Sequence, residues 1–503
     1  MVLWSLIVSG VILSACGGGG SSQSAGIGGT GISVGKGVVQ GKVTGFGSIF
    51  INGAEFDTDS SQFFVDGEVR ANQTAANLKV GMIVSLEVET EDGSYNGNAL
   101  KVVYDDEVQG PVSGLALLST GETQRTFNVF GQTITIDDTS TLFNGASLNP
   151  QFGFDTISND DVLEISGFRT SANAITATYV EWKETLVNDS EVELRGTVKD
   201  YLPPAKEFML DGFQITFEDS TVIDVSGGLV NDVYVEIKGA YQTASSSVHA
   251  SKIEQEDEGF GDDLDDVSLQ GIISNFNGTD DFEIDGLPID ASVATKLSPA
   301  NALSLLGEGV EIEVEGNIVG GKLIADEVEL REGDTKLRTT VSAIALPNRF
   351  QVEYPGQPLG SGLGTIWVNI DGQTLFEDED DSGGKTPVEN FSIGQLGEGD
   401  FVKIEGFTDS GEVSAQIVKR LEPGKSSKLQ GAVEVFVRDA PASITILGVG
   451  YPIDAFASYE DAAGVGLTKI QFFNLLEADP NAVVELEDDD PADADADNVK
   501  FDD

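Results

Sequence analysis

Three runs of carboxylates carry the densest chemistry in this sequence: EQEDEGFGDDLDD at 254–266, EDEDDSGG at 377–384 and EDDDPADADADNVKFDD at 487–503. Closely spaced Asp side chains in loops suit calcium, which takes about six to eight oxygens in flexible geometry. The candidate metal ligands are Asp262, Asp263, Asp265 and Asp266 in the first run and Asp493, Asp495 and Asp497 in the last. Calcium is the one cofactor they imply. None of the runs has the order of an EF-hand loop, and like-charged runs ordinarily stay extended in water. Solvated acid is therefore the competing reading.

Other chemistry is sparse. His249, in SSSVHAS, is the only histidine, and no Gly-x-Ser-x-Gly elbow supplies it with a nucleophile. The expectation is a surface or strand-end residue. Two carboxylates about 5–10 Å apart can hydrolyse a glycoside, but among 85 acidic residues a pair in sequence selects nothing. TGFGSIFING, from 44, lacks the closing glycine and lysine of a phosphate loop and leads into a strand instead of a helix. The catalytic set is accordingly empty, and no enzyme activity is expected.

The single cysteine, Cys16, excludes an intramolecular disulfide and a cysteine-based zinc site. It follows an apolar run, VLWSLIVSGVIL at 2–13, of signal-peptide length and shorter than the roughly 20 residues of a membrane span. Leu13-Ser14-Ala15-Cys16 resembles the lipobox of bacterial lipoproteins, in which the signal is cut before the cysteine and its thiol is acylated. The resemblance implies a signal over 1–16 with Cys16 as the lipid anchor. It also implies a Gly/Ser-rich tether over 17–36 and a place on the bacterial cell envelope, at the outer membrane facing periplasm or cell surface. No Lys or Arg precedes the apolar run, which departs from the usual signal.

Asp and Glu outnumber Lys and Arg by 85 to 28, a formal charge of −57. Such a field repels polyanions, so DNA and RNA are excluded as partners. It suits a salt-rich milieu, where screening over about 10 Å or less softens self-repulsion.

The elements that must position these groups repeat. An apolar-x-Gly-x-apolar strand opens six units: VQGKV at 39, VQGPV at 108, LRGTV at 194, LQGII at 269, LRTTV at 337 and LQGAV at 429. A hairpin follows, centred on a glycine at 53, 131, 212, 286, 372 and 448, with apolar residues four and two positions before it and three after. That spacing places them on one face of each strand. In the fifth unit these residues are Val368, Ile370 and Leu375. A late alternating strand and a last strand with Ala-x-x-Val or Ile complete each unit: Ala99 and Val102, Ala177 and Val180, Ala250 and Ile253, Ala325 and Val328, Ala415 and Val418, Ala496 and Val499.

A helix-like stretch, SPANALSLLGEG from 298, stands between hairpin and late strands. Strand, hairpin, short helix and two strands predict an all-β tandem array of about six small OB-like five-stranded β-barrel modules, with a short helix in some. An SH3-like barrel or open sheet is the alternative. The boundaries are 37–108, 109–187, 192–258, 267–333, 335–424 and 427–503, with an acidic linker at 259–266.

GKVTGFGSIFINGAEFDTDSS in the first unit and GIISNFNGTDDFEIDGLPID in the fourth resemble a tandem bacterial β-barrel family of unknown function that occurs in predicted lipoproteins. That resemblance implies an architecture and a location, but no catalytic residues. The expected protein is a noncatalytic, lipid-anchored string of modules that binds envelope or extracellular polysaccharide or protein, gaining avidity by repetition. A calcium-dependent adhesin and a carboxylate-based hydrolase are the alternatives. Phe46, Trp182 and Trp367 are candidates for stacking on sugar, with packing as the competing role.

Overall fold

A computed structural model describes residues 35–502 apart from 47, 53, 66–67, 70–77, 91–95, 118–123, 139, 146–148, 172, 256–262, 299–300, 332, 334, 355–363, 371–373, 381, 383–387, 389–390, 410, 423–425, 440, 463, 480–481 and 490–494. Strands dominate, and the fourth copy shows the plan. Its opening strand Asp263–Gly278 pairs with the hairpin strand Asp281–Ile284 and with the fourth strand Glu311–Val319. The second hairpin strand, Leu287–Asp290, runs parallel to the closing strand Lys322–Leu330, which returns antiparallel to the fourth. This 1-2-3-5-4-1 ring is that of the expected OB-like barrel. The same pairings close the ring in the first copy, the third and the fifth.

Two sequence signatures acquire physical causes. A Cβ added to Gly41, Gly110, Gly196, Gly271 or Gly431 would come within 2.2–2.9 Å of a side chain from its own hairpin: Asn52, Phe130, Asp211, Ile284 and Ile446 respectively. The hairpin thus folds onto the opening strand where that strand has no side chain. The Ala of the closing strand faces a glycine at a β-bulge, as in Gly167↔Ala177, Gly239↔Ala250, Gly316↔Ala325 and Gly406↔Ala415. There a Cβ on the glycine would lie 2.0–2.4 Å from a backbone oxygen of the closing strand.

Three expectations are corrected. In the fifth copy the first hairpin strand is Arg349–Glu353, with Phe350 and Val352 buried, and Val368 lies on the returning strand Thr365–Asn369. Leu375 belongs to a further strand, Leu375–Asp378, parallel to the closing one. The insertion at 355–363 had displaced the spacing, and Asp371-Gly372 looked like its turn. Second, SPANALSLLGEG forms one 3-10 turn, Ala302–Ser304, with no side-chain cap at Asn301. So short a stretch cannot offset the cost of nucleating an α-helix. The helix is instead Lys469–Ala478 in the sixth copy, started by a Thr468/Gln471 capping box and burying Phe472, Phe473 and Leu476. Third, the acidic linker ends early: Asp263 already begins a strand, which bulges between Leu264 and Val267.

The modules are not a string. Opening strands pair between copies. The first lies parallel to the fourth, through Val38↔Val267 to Gln40↔Leu269. The second meets the third at Gln109↔Glu193. The fifth lies antiparallel to the sixth, through Lys336↔Gln430 to Arg338↔Lys428. Three continuous sheets result, each built from two copies. One apolar core spans the second and third copies and another the fifth and sixth. Leu142 and Tyr179 of the second copy and Leu375 and Ile417 of the fifth join the core of the first.

Candidate functional site

Copies one, two, four and five converge on a polar hub. Its strands supply the side chains that the barrel alternation turns away from the barrel interiors. Lys42 donates from its backbone N–H to Gln270 Oε1 (2.9 Å) and from Nζ to Glu311 Oε1 (3.3 Å), the acceptor that Gln270 Nε2 also reaches at 2.7 Å. Asn52, at a φ of 50° on the first hairpin turn, donates to the Gln40 carbonyl (3.2 Å) and to Ser268 Oγ of the fourth copy (2.7 Å). Ser268 Oγ in turn donates to Glu313 (2.8 Å), a carboxylate also held by Arg331, which reaches Glu329 at 3.0 Å. Lys42, Asn52, Ser268, Gln270, Glu313, Glu329 and Arg331 are all buried, and Glu311 is nearly so. The network therefore carries paired charges, as buried ions require.

Between these groups and Asp137 and Glu405 of the second and fifth copies lies a cavity of about 70 Å3. Asn52 Oδ1 is buried there without a hydrogen-bond partner. Space of this size and polarity suits a few water molecules and is far below the roughly 300 Å3 of a small-molecule pocket.

The second and fifth copies are locked by ions. Lys419, 1% exposed, contacts Glu377 (2.7 Å), Glu379 (3.1 Å) and the Thr141 carbonyl of the second copy (3.4 Å). Lys403 meets Asp138 across the same seam at 2.8 Å. Burial pushes the Lys403 ammonium down and Asp138 opposes it. Burial raises the Glu377 carboxyl to about 7, Lys419 working against the shift and Glu379 adding to it. Arg420 grips Asp378 with Nε (2.7 Å) and Nη2. Over 377–380 the run EDEDDSGG is thus not solvated acid: Glu377 and Glu379 hold Lys419, and Asp378 holds Arg420, on the closing strand of their own copy, and Lys419 carries the contact on to the second copy through the Thr141 carbonyl.

The predicted metal ligands are not brought together. Asp262 and Asp493 lie outside the described residues, as does Cys16, and of Asp263 and Asp265 only the backbone is described. Asp266 sits at the bulge with a φ of 55°, beside Glu315, Asp326 and Glu327 in a shallow pocket that also contains Lys296, whose ammonium is 3.1 Å from Glu327. Asp497 accepts the Asp489 N–H at 2.9 Å, which closes the last hairpin, and Asp495 precedes that strand. Among the described residues no three His, Cys, Asp or Glu side chains are arranged to hold a metal ion. Asp488, in the same run, is buried and accepts the Tyr451 hydroxyl at 2.8 Å.

His249 lies on the closing strand of the third copy, with Nδ1 3.2 Å from Thr216 Oγ1 and Nε2 3.8 Å from Glu218. Trp182 donates to Asp161 (3.0 Å), Arg349 stacks 4.3 Å from the Trp367 ring, and Phe46 packs on the first core. Trp182 and Phe46 thus pack against cores, while the Trp367 ring is covered on one face by Arg349.

Asn52, Asp211 and Asp285, each followed by a hairpin glycine, are legible in the sequence as positive-φ turn residues, but Phe130 and Leu447 at the same position, and the contacts such residues make with a second copy, were missed. Asn52, Phe130, Asp211, Asp285 and Leu447 all adopt a positive φ of 47–52°, and several reach a second copy. Phe130, for example, packs its ring edge-on at 5.2 Å against Phe213 of the third. A bulky apolar residue at a turn position that favours Asn or Gly was the available signal.

The sequence pattern of a domain of unknown function (DUF5666) matches residues 36–96, 109–181, 195–254, 270–329 and 339–419, more than half of the chain. The chain belongs to this family. The five DUF5666 matches coincide with the first five copies. The sixth lies outside them, yet its strands keep the family's plan: Ser427–Ala432 pairs with Val483–Asp488, and Val449–Glu460 runs parallel to Ala496–Phe501. No curated protein matches the chain.

Proposed function

We propose that this DUF5666 protein is a noncatalytic, lipid-anchored scaffold of the bacterial cell envelope that binds an envelope or extracellular polymer or protein. The observation that carries this reading is the fusion of repeated barrels through shared sheets. Assembly takes up the opening strands and the side chains of the hub, so that a ligand is taken by the remaining surface of the repeated barrels. Cys16 after a signal-like apolar run supports the anchor, and the −57 charge supports a soluble body held off an anionic surface.

Growth of the producing cell with radiolabelled palmitate tests the anchor. The wild-type chain should carry label and sediment with membranes, and Cys16→Ala should lose both properties. An unlabelled wild-type chain in the soluble fraction overturns the anchoring.

A further inference from the structure

Beyond the first few residues, an opening strand leaves its neighbouring copy and pairs with its own hairpin. In the sixth copy this stretch is Val435–Val437, joined antiparallel to Ser443–Ile446 through Val435↔Thr445, Phe436↔Ile444 and Val437↔Ser443. It ends its sheet, so among the described residues no strand pairs with its other side. The equivalent stretches of the third and fourth copies contain Lys199-Asp200 and Ser274-Asn275, polar residues of the kind that discourage edge pairing. The sixth reads Glu434-Val435-Phe436-Val437-Arg438. Val435 is 59% and Val437 47% exposed, while Phe436 turns inward to Phe473, ring centres 5.7 Å apart.

This pentapeptide is complementary to itself. In a two-fold antiparallel pair centred on Phe436, Glu434 of each copy stands opposite Arg438 of the other, and Val435 opposite Val437. Both charges are already held at the ends of the edge. Glu434 accepts the Gly448 N–H at 3.2 Å, and Arg438 donates to Asn474 Oδ1 at 2.6 Å.

We infer that this edge is a self-association surface, through which a second copy of the chain adds its own Glu434–Arg438 strand and extends the sheet across a two-fold axis. Five residues a side are few against the roughly 20–30 of a stable interface, and two chains of −57 repel each other. The dimer is therefore weak, concentration-dependent and in need of screening salt.

Sedimentation equilibrium of the full chain tests this, in a mild detergent that occupies the apolar N-terminal run and at about 0.15 M salt, where screening acts over about 8 Å. The wild type should show a monomer–dimer equilibrium. Glu434→Arg places like charges opposite each other, as does Arg438→Glu, and each alone should move the midpoint to at least about tenfold higher concentration. An equimolar mixture of the two variants restores both Glu–Arg pairs and should dimerise as the wild type does. Val435→Lys, at a side chain facing solvent, should weaken association with an unchanged melting temperature, which separates the surface from the fold. A monomeric wild type, single variants that associate normally, or a mixture that stays monomeric each overturns the inference.

Discussion

Glu377 and Lys419 stand on the seam between two barrels, and their chemistry follows from how little water reaches them. Lys419 is almost wholly buried, so two carboxylates and a backbone carbonyl must replace its hydration. Glu377 is raised to about 7 by burial, above the ordinary value of 4.5. Between those values the folded chain holds a proton that the unfolded chain has released. The stability this contributes is present below about 4.5 and is lost as pH rises through about 7. Urea midpoints measured from pH 5 to pH 8 should fall more steeply for the wild type than for Glu377→Gln, which keeps the shape without the ionisation. Parallel profiles would remove Glu377 from the pH response. None of this was legible in EDEDDSGG, because a run of acids looks the same whether water or buried lysine faces it.

At the scale of elements, the opening glycine and the hairpin were readable together because both recur with fixed spacing. Their connection was not. Gly271 is required because Ile284 Cγ2 lies 2.4 Å from where a Cβ would stand. Gly271→Val should destabilise by about 1–3 kcal/mol, as overpacking a filled core does, seen as a lower urea midpoint with an unchanged slope. A neutral effect would mean that the hairpin can lift away. The fifth copy tests the rule naturally. Thr339 replaces the glycine there, fully buried and donating to the Glu353 carbonyl, and it is in that copy that the hairpin opens into a long insertion. The same copy is where the spacing rule misplaced the hairpin, because the residues between Arg349–Glu353 and Thr365–Asn369 outnumber those of the other turns.

For the whole molecule, the pairing of copy one with copy four is the decisive event. It joins units more than two hundred residues apart in sequence and draws copies two and five into one hub. A compact chain of this length has a radius of gyration of about 23 Å, and small-angle scattering in screening salt should approach that value. A much larger radius, as flexibly linked modules would give, would refute the hub. Avidity through independent modules therefore gives way to a fixed arrangement of surfaces.

The sequence by itself determined the number of copies, the strand alternation, the barrel order and the acidic surface, because each is encoded by residues near one another and repeated six times. Only the tertiary structure decided which barrels share a sheet, which acids are buried and where a strand edge stays open. Those depend on long-range packing between surfaces: an edge carries the same alternation whether a neighbour covers it or not, and a carboxylate acquires its role only when a distant lysine is folded against it.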